Sequence, residues 1–140
     1  MVELAKGKLF HIAHGCIETK TDMPHSDRLF VIYKAFLKIL NKYLPSEAVI
    51  ENLYFGRNIS SAMTVAEARG VLLTALSSKG LFVHELTPNT IKKSIVGVTR
   101  ADKRQIQEMV RFLLDLPEIP KPDHAADALG AAIAGLHCIY

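Results

Sequence analysis

Apolar side chains recur at Leu29, Ile32, Tyr33, Phe36, Leu37 and Leu40. That three-and-four spacing predicts an amphipathic helix, capped by Ser26 and closed near Leu44 and Pro45. Ahead of it, a short strand over Val2 to Ala5, a Lys6-Gly7 turn and a strand over Leu9 to Thr19 read as an antiparallel hairpin. Ala48 to Tyr54 is an apolar run broken by the acid Glu51, the pattern of a buried strand with one polar residue at its end. Ser60 to Ser78 is helical and rich in small residues, and Leu81 to Leu86 forms another strand. Thr87-Pro88 starts a short helix through about Val96, and Gly97 to Thr99 breaks it. Ala101 to Leu114 continues as a helix with Ile106, Met109, Val110 and Leu113 inward. Pro117, Pro120 and Pro122 make an irregular connector to a last helix, Asp123 to Tyr140, apolar almost all round and therefore expected to pack against a sheet.

A hairpin followed by strand-helix-strand units implies an α/β fold, a mixed sheet with helices on both faces. With 140 residues, 49% of them hydrophobic, a single domain over 1–140 with one core is expected. Cys16 and Cys138 stand far apart with no Cys-x-x-Cys around them, which supports neither a disulfide framework nor a zinc site and points to a reducing cytoplasm. No run approaches the roughly 20 apolar residues of a membrane span, and the N-terminus lacks the layout of a signal peptide, so no membrane partner is expected.

A net charge of +3 says little, but its distribution says more. Between Asn89 and Arg104, Lys92, Lys93, Arg100, Lys103 and Arg104 face only Asp102, a local excess of +4. From Asp115 onward, Asp115, Glu118, Asp123 and Asp127 face only Lys121, a local excess of −3. A metal-dependent phosphodiesterase needs both, one surface for the phosphate backbone and one for divalent cations, although solvated helix faces produce the same balance.

There is no phosphate-binding glycine loop and no G-x-S-x-G elbow, so neither nucleotide hydrolysis nor acyl transfer has support. His11 and His14 stand three apart in the predicted strand, where alternation points them to opposite faces and away from a shared metal. His124 and Asp127 are different: at i and i+3 they share one face of a helix's first turn, with only alanines between them. An alternative reading makes Asp123 the N-cap and Asp127 a first-turn acid welcomed by the helix dipole. Glu51 weighs against it, because a carboxylate in an apolar strand is costly unless paired or bound to a metal, and a cation shared with Asp127 would satisfy it.

Five segments, Val49 to Asn58, Ala66 to Gly70, Ile91 to Gly97, Ala101 to Lys103 and His124 to Leu129, together resemble the RuvC family of Holliday-junction resolvases. The resemblance covers nearly the whole chain. It implies an RNase H-like fold, a homodimer, and Mg²⁺-dependent paired cleavage of four-way junction DNA in recombination and repair. It also implies a RuvAB-type branch-migration partner. By resemblance Glu51, His124 and Asp127 are metal ligands for two Mg²⁺ about 4 Å apart. Lys92 and Lys103 stand near the scissile phosphate and Tyr54 stacks on a base of the opened junction. Arg57, Lys93, Arg100 and Arg104 lie on the DNA surface, and the small-residue helix from Ser60 to Ser78 forms the dimer surface. A two-fold dimer matches a substrate with two equivalent strands.

One departure stands out. The family's first strand carries an Asp in an Ile-Asp-Pro-Gly-like motif, and nothing like it occurs here. Met1 to Leu4 matches the middle of the second strand, so Glu3 does not replace that ligand. The chain is therefore expected to be N-terminally incomplete. It is either a resolvase whose start was placed too far downstream or a truncated relative that binds junctions without cutting them.

Overall fold

A computed structural model describes residues 1–52 and 59–139, with side chains left out for 59–61 and 139. Its elements follow the predicted order: β1 (Val2–Ala5), β2 (Lys8–His11), α1 (His25–Tyr43), β3 (Glu47–Glu51), α2 (Ile59–Ser78), β4 (Phe82–Leu86), α3 (Pro88–Val96), α4 (Lys103–Leu113) and α5 (Asp123–Ile139). β1 and β2 pair antiparallel, Val2 with His11 and Ala5 with Lys8. The two-residue turn between them has φ 50° at Lys6 and 73° at Gly7, the left-handed pair whose twist suits a tight hairpin. β3 pairs with β4, so the described strands form two two-stranded ladders.

Several boundaries move from where the pattern put them. β2 stops at His11 instead of running to Thr19, so strand alternation does not govern His14. His11 Nε2 in fact lies 2.8 Å from His14 Nδ1, which corrects the expectation that the two rings point apart. α1 begins at His25 behind Pro24 with no side-chain cap, and Ser26 bonds Asp27 instead. It ends as predicted, with Leu44 in the left-handed region and its N–H on the Leu40 carbonyl.

The chain folds as two compact units. One comprises Met1–Cys16, Val49–Asn52 and Glu85–Tyr140, and its core joins Ile91 and Ile95 of α3 to Val110 of α4, with Leu114 beside it, and to Leu129, Ala131, Ile133 and Ala134 of α5. Val2, Leu9, Val49 and Leu86 of the strands close over that cluster, so α5 meets strands as well as helices. Val110, Leu129 and Ile133 are at most 1% exposed, and burying a side chain of this size stabilises the fold by about 1.5–3 kcal/mol. The other unit, Ile17–Ala48 with Leu53–His84, packs α1 on α2 and buries Leu40, Ala75 and Leu76.

Candidate active site

Every predicted ligand and both predicted active-site lysines fall within the first unit. α5 owes its position to two glycines: a Cβ on Gly130 would meet Ile95 Cδ1 at 2.9 Å, and one on Gly135 would meet Val49 Cγ2 at 2.3 Å. Such contact draws the helix against β3. Val49 and Glu51 are two apart on that strand and so point to the same face. Glu51 therefore looks toward the helix that carries His124 in its first turn and Asp127 at the start of its second.

The electrostatics bear out this approach. Partial burial raises the Glu51 carboxyl above the usual glutamate range, the charge of Asp127 raises it further, and Lys92 opposes both. Glu51 sits at the strand's end, as the pattern placed it, and is exposed there, so a cation could reach it from solvent. His124 and Asp127 are exposed as well, while Ala125 and Ala126 between them are buried. The start of α5 thus anchors through its alanines and presents His124 and Asp127 outward.

Lys103 is the first residue of α4, where Asp102 forms a capping box with Gln105: the Asp102 carboxylate accepts the Gln105 N–H at 2.9 Å and the Gln105 side chain accepts the Asp102 N–H at 3.0 Å. The Lys103 ammonium lies 2.9 Å from Asp123 Oδ2 and 3.9 Å from Asp127 Oδ2. Asp123 sits inside the first turn of α5, so the N-cap reading of it does not hold. Its hydrogen bond from Lys103, and then the charge of Lys103, hold its carboxyl below the usual range; the same hydrogen bond raises the lysine. No local pattern signals this pair, since the two residues are 20 positions apart on different helices.

Lys92 of α3 is half-buried, while Lys93, Arg100 and Arg104 are exposed. α3 itself is defined at both ends: Thr87 accepts the Thr90 N–H at 3.1 Å, and Gly97, at φ 78°, closes the helix onto the Lys93 carbonyl. Tyr54 and Arg57 lie outside the described residues.

The donor set suits a hard divalent cation: two carboxylates that repel each other with a neighbouring imidazole. Among the described residues no group of three such side chains encloses an ion as it stands. The positive charge beside Asp127 is instead the Lys103 ammonium.

Comparison with known proteins agrees with the geometry. Residues 1–135 match the family described as crossover junction endodeoxyribonuclease RuvC. The chain is 47% identical over 139 residues to the crossover junction endodeoxyribonuclease RuvC of Thermotoga petrophila, covering 99% of this chain and 83% of that protein. It is 45% identical over 137 residues to the protein of the same name from Treponema denticola, with 98% and 77% covered. Among solved structures, Thermus thermophilus RuvC superposes with a TM-score of 0.89 at 29% identity, covering 97% of this chain and 84% of that one. T. thermophilus RuvC in complex with a Holliday junction substrate gives 0.88 at 26% identity, covering 97% and 83%. The fold is thus the RNase H-like fold read from the sequence, and the chain belongs to the RuvC family of crossover junction endodeoxyribonucleases.

Proposed function

We propose that this protein resolves Holliday junctions in DNA recombination and repair, as a structure-selective endonuclease that hydrolyses phosphodiesters with Mg²⁺. The observation that carries the reading is the Lys103 ammonium 3.9 Å from the Asp127 carboxylate, with Glu51 near enough for the charge of Asp127 to raise its carboxyl and for Lys92 to oppose that. Such a site is built for a divalent cation and a phosphate together. Intact carboxylates and lysines favour a cutting enzyme over a relative that only binds junctions.

Glu51 and Asp127 would hold the cation with His124 as a nitrogen donor. When bound, two Mg²⁺ supply an activated water and stabilise the leaving 3′ oxygen. The protein's own groups do the rest. Lys92 and Lys103 bind the scissile phosphate and offset charge gathering on it, while Lys93, Arg100 and Arg104 hold the backbone through exposed cationic heads. Arg57 extends that surface and Tyr54 stacks on a base of the opened junction. A homodimer would present two such sites to equivalent strands. Met63 and Val65 on α2, 59% and 49% exposed, support a second copy packing there. A branch-migration complex of the RuvAB type is the expected partner, and the cytoplasm the expected location.

The test is cleavage of a synthetic four-way junction with Mg²⁺, by the chain as given and by a form extended upstream in its reading frame. The extended form reads out whether the first-strand Asp implied by the resemblance completes the ligand set in one nuclease domain. Symmetric nicks that vanish with Glu51→Gln, while junction binding persists, support the reading. An extended form that binds but never nicks rejects it.

A further inference from the structure

Asp123 has no role in the ligand set, yet it makes the shorter of the two contacts to Lys103. Lys103 and Asp123 are each the first residue of a helix, and both helix starts are fixed in place, α4 by its capping box and α5 by the buried Ala125 and Ala126. Gln107, one turn beyond Lys103 on the same face of α4, is a buried polar side chain, only 9% exposed. Its Nε2 makes no hydrogen bond of ordinary geometry, but it lies close enough to Asp123 to favour the charged carboxylate. The Asp123 carboxylate is thus paired with the Lys103 ammonium.

With Asp127 committed to a divalent cation, the Lys103 ammonium would lose its attraction to that carboxylate and would feel added positive charge nearby. A lysine side chain is long and flexible, so without another anchor the ammonium would leave for solvent. Asp123 provides the anchor without being a ligand.

Resting on the metal and phosphate site proposed above, we propose that Asp123 is a positioning residue that keeps Lys103 at the scissile phosphate once Asp127 holds the cation. The lysine is thereby handed from a shared pair to a single partner. Its head stays within reach of the phosphate throughout.

Two measurements test this. The first is the reactivity of Lys103 toward an amine-acylating reagent, read by mass spectrometry on the full chain with and without Mg²⁺. In the unsubstituted protein Lys103 should stay protected when Mg²⁺ is added. In Asp123→Ala and the nearly isosteric Asp123→Asn its labelling should rise several-fold, most in Mg²⁺. The second is a double-mutant cycle on single-turnover cleavage in the cleaving form. Asp123→Ala should slow cleavage by about tenfold, a mid-range value for directly coupled groups, with metal-free junction affinity unchanged. Asp123→Ala combined with Lys103→Ala should be no slower than Lys103→Ala alone, and Asp123→Glu should recover part of the rate. Unchanged Lys103 labelling in both variants, or additive effects in the cycle, overturns the proposal. Absence of cleavage by every form rejects the nuclease reading instead, and the labelling result then decides the fate of the Asp123 anchor by itself.

Discussion

Gly135 of α5 and Val49 of β3 approach so closely that a methyl on the glycine would stand 2.3 Å from Val49 Cγ2. Real side chains do not come this near, so something must shift to admit one. Val49 is two residues from Glu51, and Gly135 lies on the helix that bears Asp127. The contact therefore ties the strand that ends in Glu51 to the helix that carries Asp127.

Gly135→Ala is accordingly expected to cost about 1–3 kcal/mol, the usual penalty for overpacking a core. It should also weaken cleavage, although no reacting group is touched. Adding Val49→Ala should return part of the stability by making room. Urea melts of the single and double variants check this; a Gly135→Ala variant as stable as its parent contradicts the packing described.

Glu51 makes a stability prediction with a definite sign. Its folded-state pKa is raised, so the charged form is penalised in the metal-free protein; protonation stabilises the fold at low pH, and that benefit is lost as pH rises through the folded value. Near neutral pH, Glu51→Gln should melt at a higher temperature than the parent in EDTA. The advantage should shrink on acidification and vanish below the ordinary glutamate value of about 4.3. Mg²⁺ should stabilise the parent and not the variant. Melts across pH with and without Mg²⁺ read all three effects.

The basic residues should divide into two classes. Arg100→Ala and Arg104→Ala, which remove exposed cations, should each reduce the slope of log affinity against log salt by about one and leave the cleavage step of bound junction intact. Lys103→Ala should instead slow that step by about a hundredfold, as expected for loss of a group that stabilises developing charge. Equal effects of all three on both quantities would remove Lys103 from the reacting phosphate.

Asp102→Ala breaks the capping box that starts α4. A loss of about 1 kcal/mol is expected from the missing cap. Because Lys103 is the next residue, cleavage should fall further than the stability loss alone accounts for. Comparison with Ile106→Val, which weakens the same helix by a packing defect, separates the two causes.

Much of the fold was legible because its local signals are strong. Thr87-Pro88 and Gly97 bracket α3, and the apolar rows of α1 and α4 repeat at helical spacing, so these elements follow from chemistry within a few residues. β2 was overextended because apolar residues continue after His11 although strand pairing ends there. That misplaced His14, which folds back onto His11. In the site, Glu51, His124 and Asp127 could be picked out by carboxylate burial and one-turn spacing. What decided the surroundings of Lys103 could not: its bond to Asp123 joins two helix starts that only tertiary packing brings together, and the buried amide of Gln107 reads in sequence as another polar helix position. Glu51 sits exposed at a strand end, and its raised carboxyl owes most to partial burial and next to the charge of Asp127, which the strand pattern could not show.

The build of α5 also bears on how variation in this gene would be read. His124 and Asp127 occupy one turn, and the remaining turns, with Leu129, Gly130, Ala131, Ile133, Ala134 and Gly135, are packed into the core. If His124 and Asp127 are ligands as proposed, a helix that carries them and is also the centre of packing cannot fail in one respect alone. In a genetic screen for lost repair, most inactivating alleles in this segment should therefore map to positions that touch neither metal nor DNA, and they should be temperature-sensitive where ligand substitutions are not.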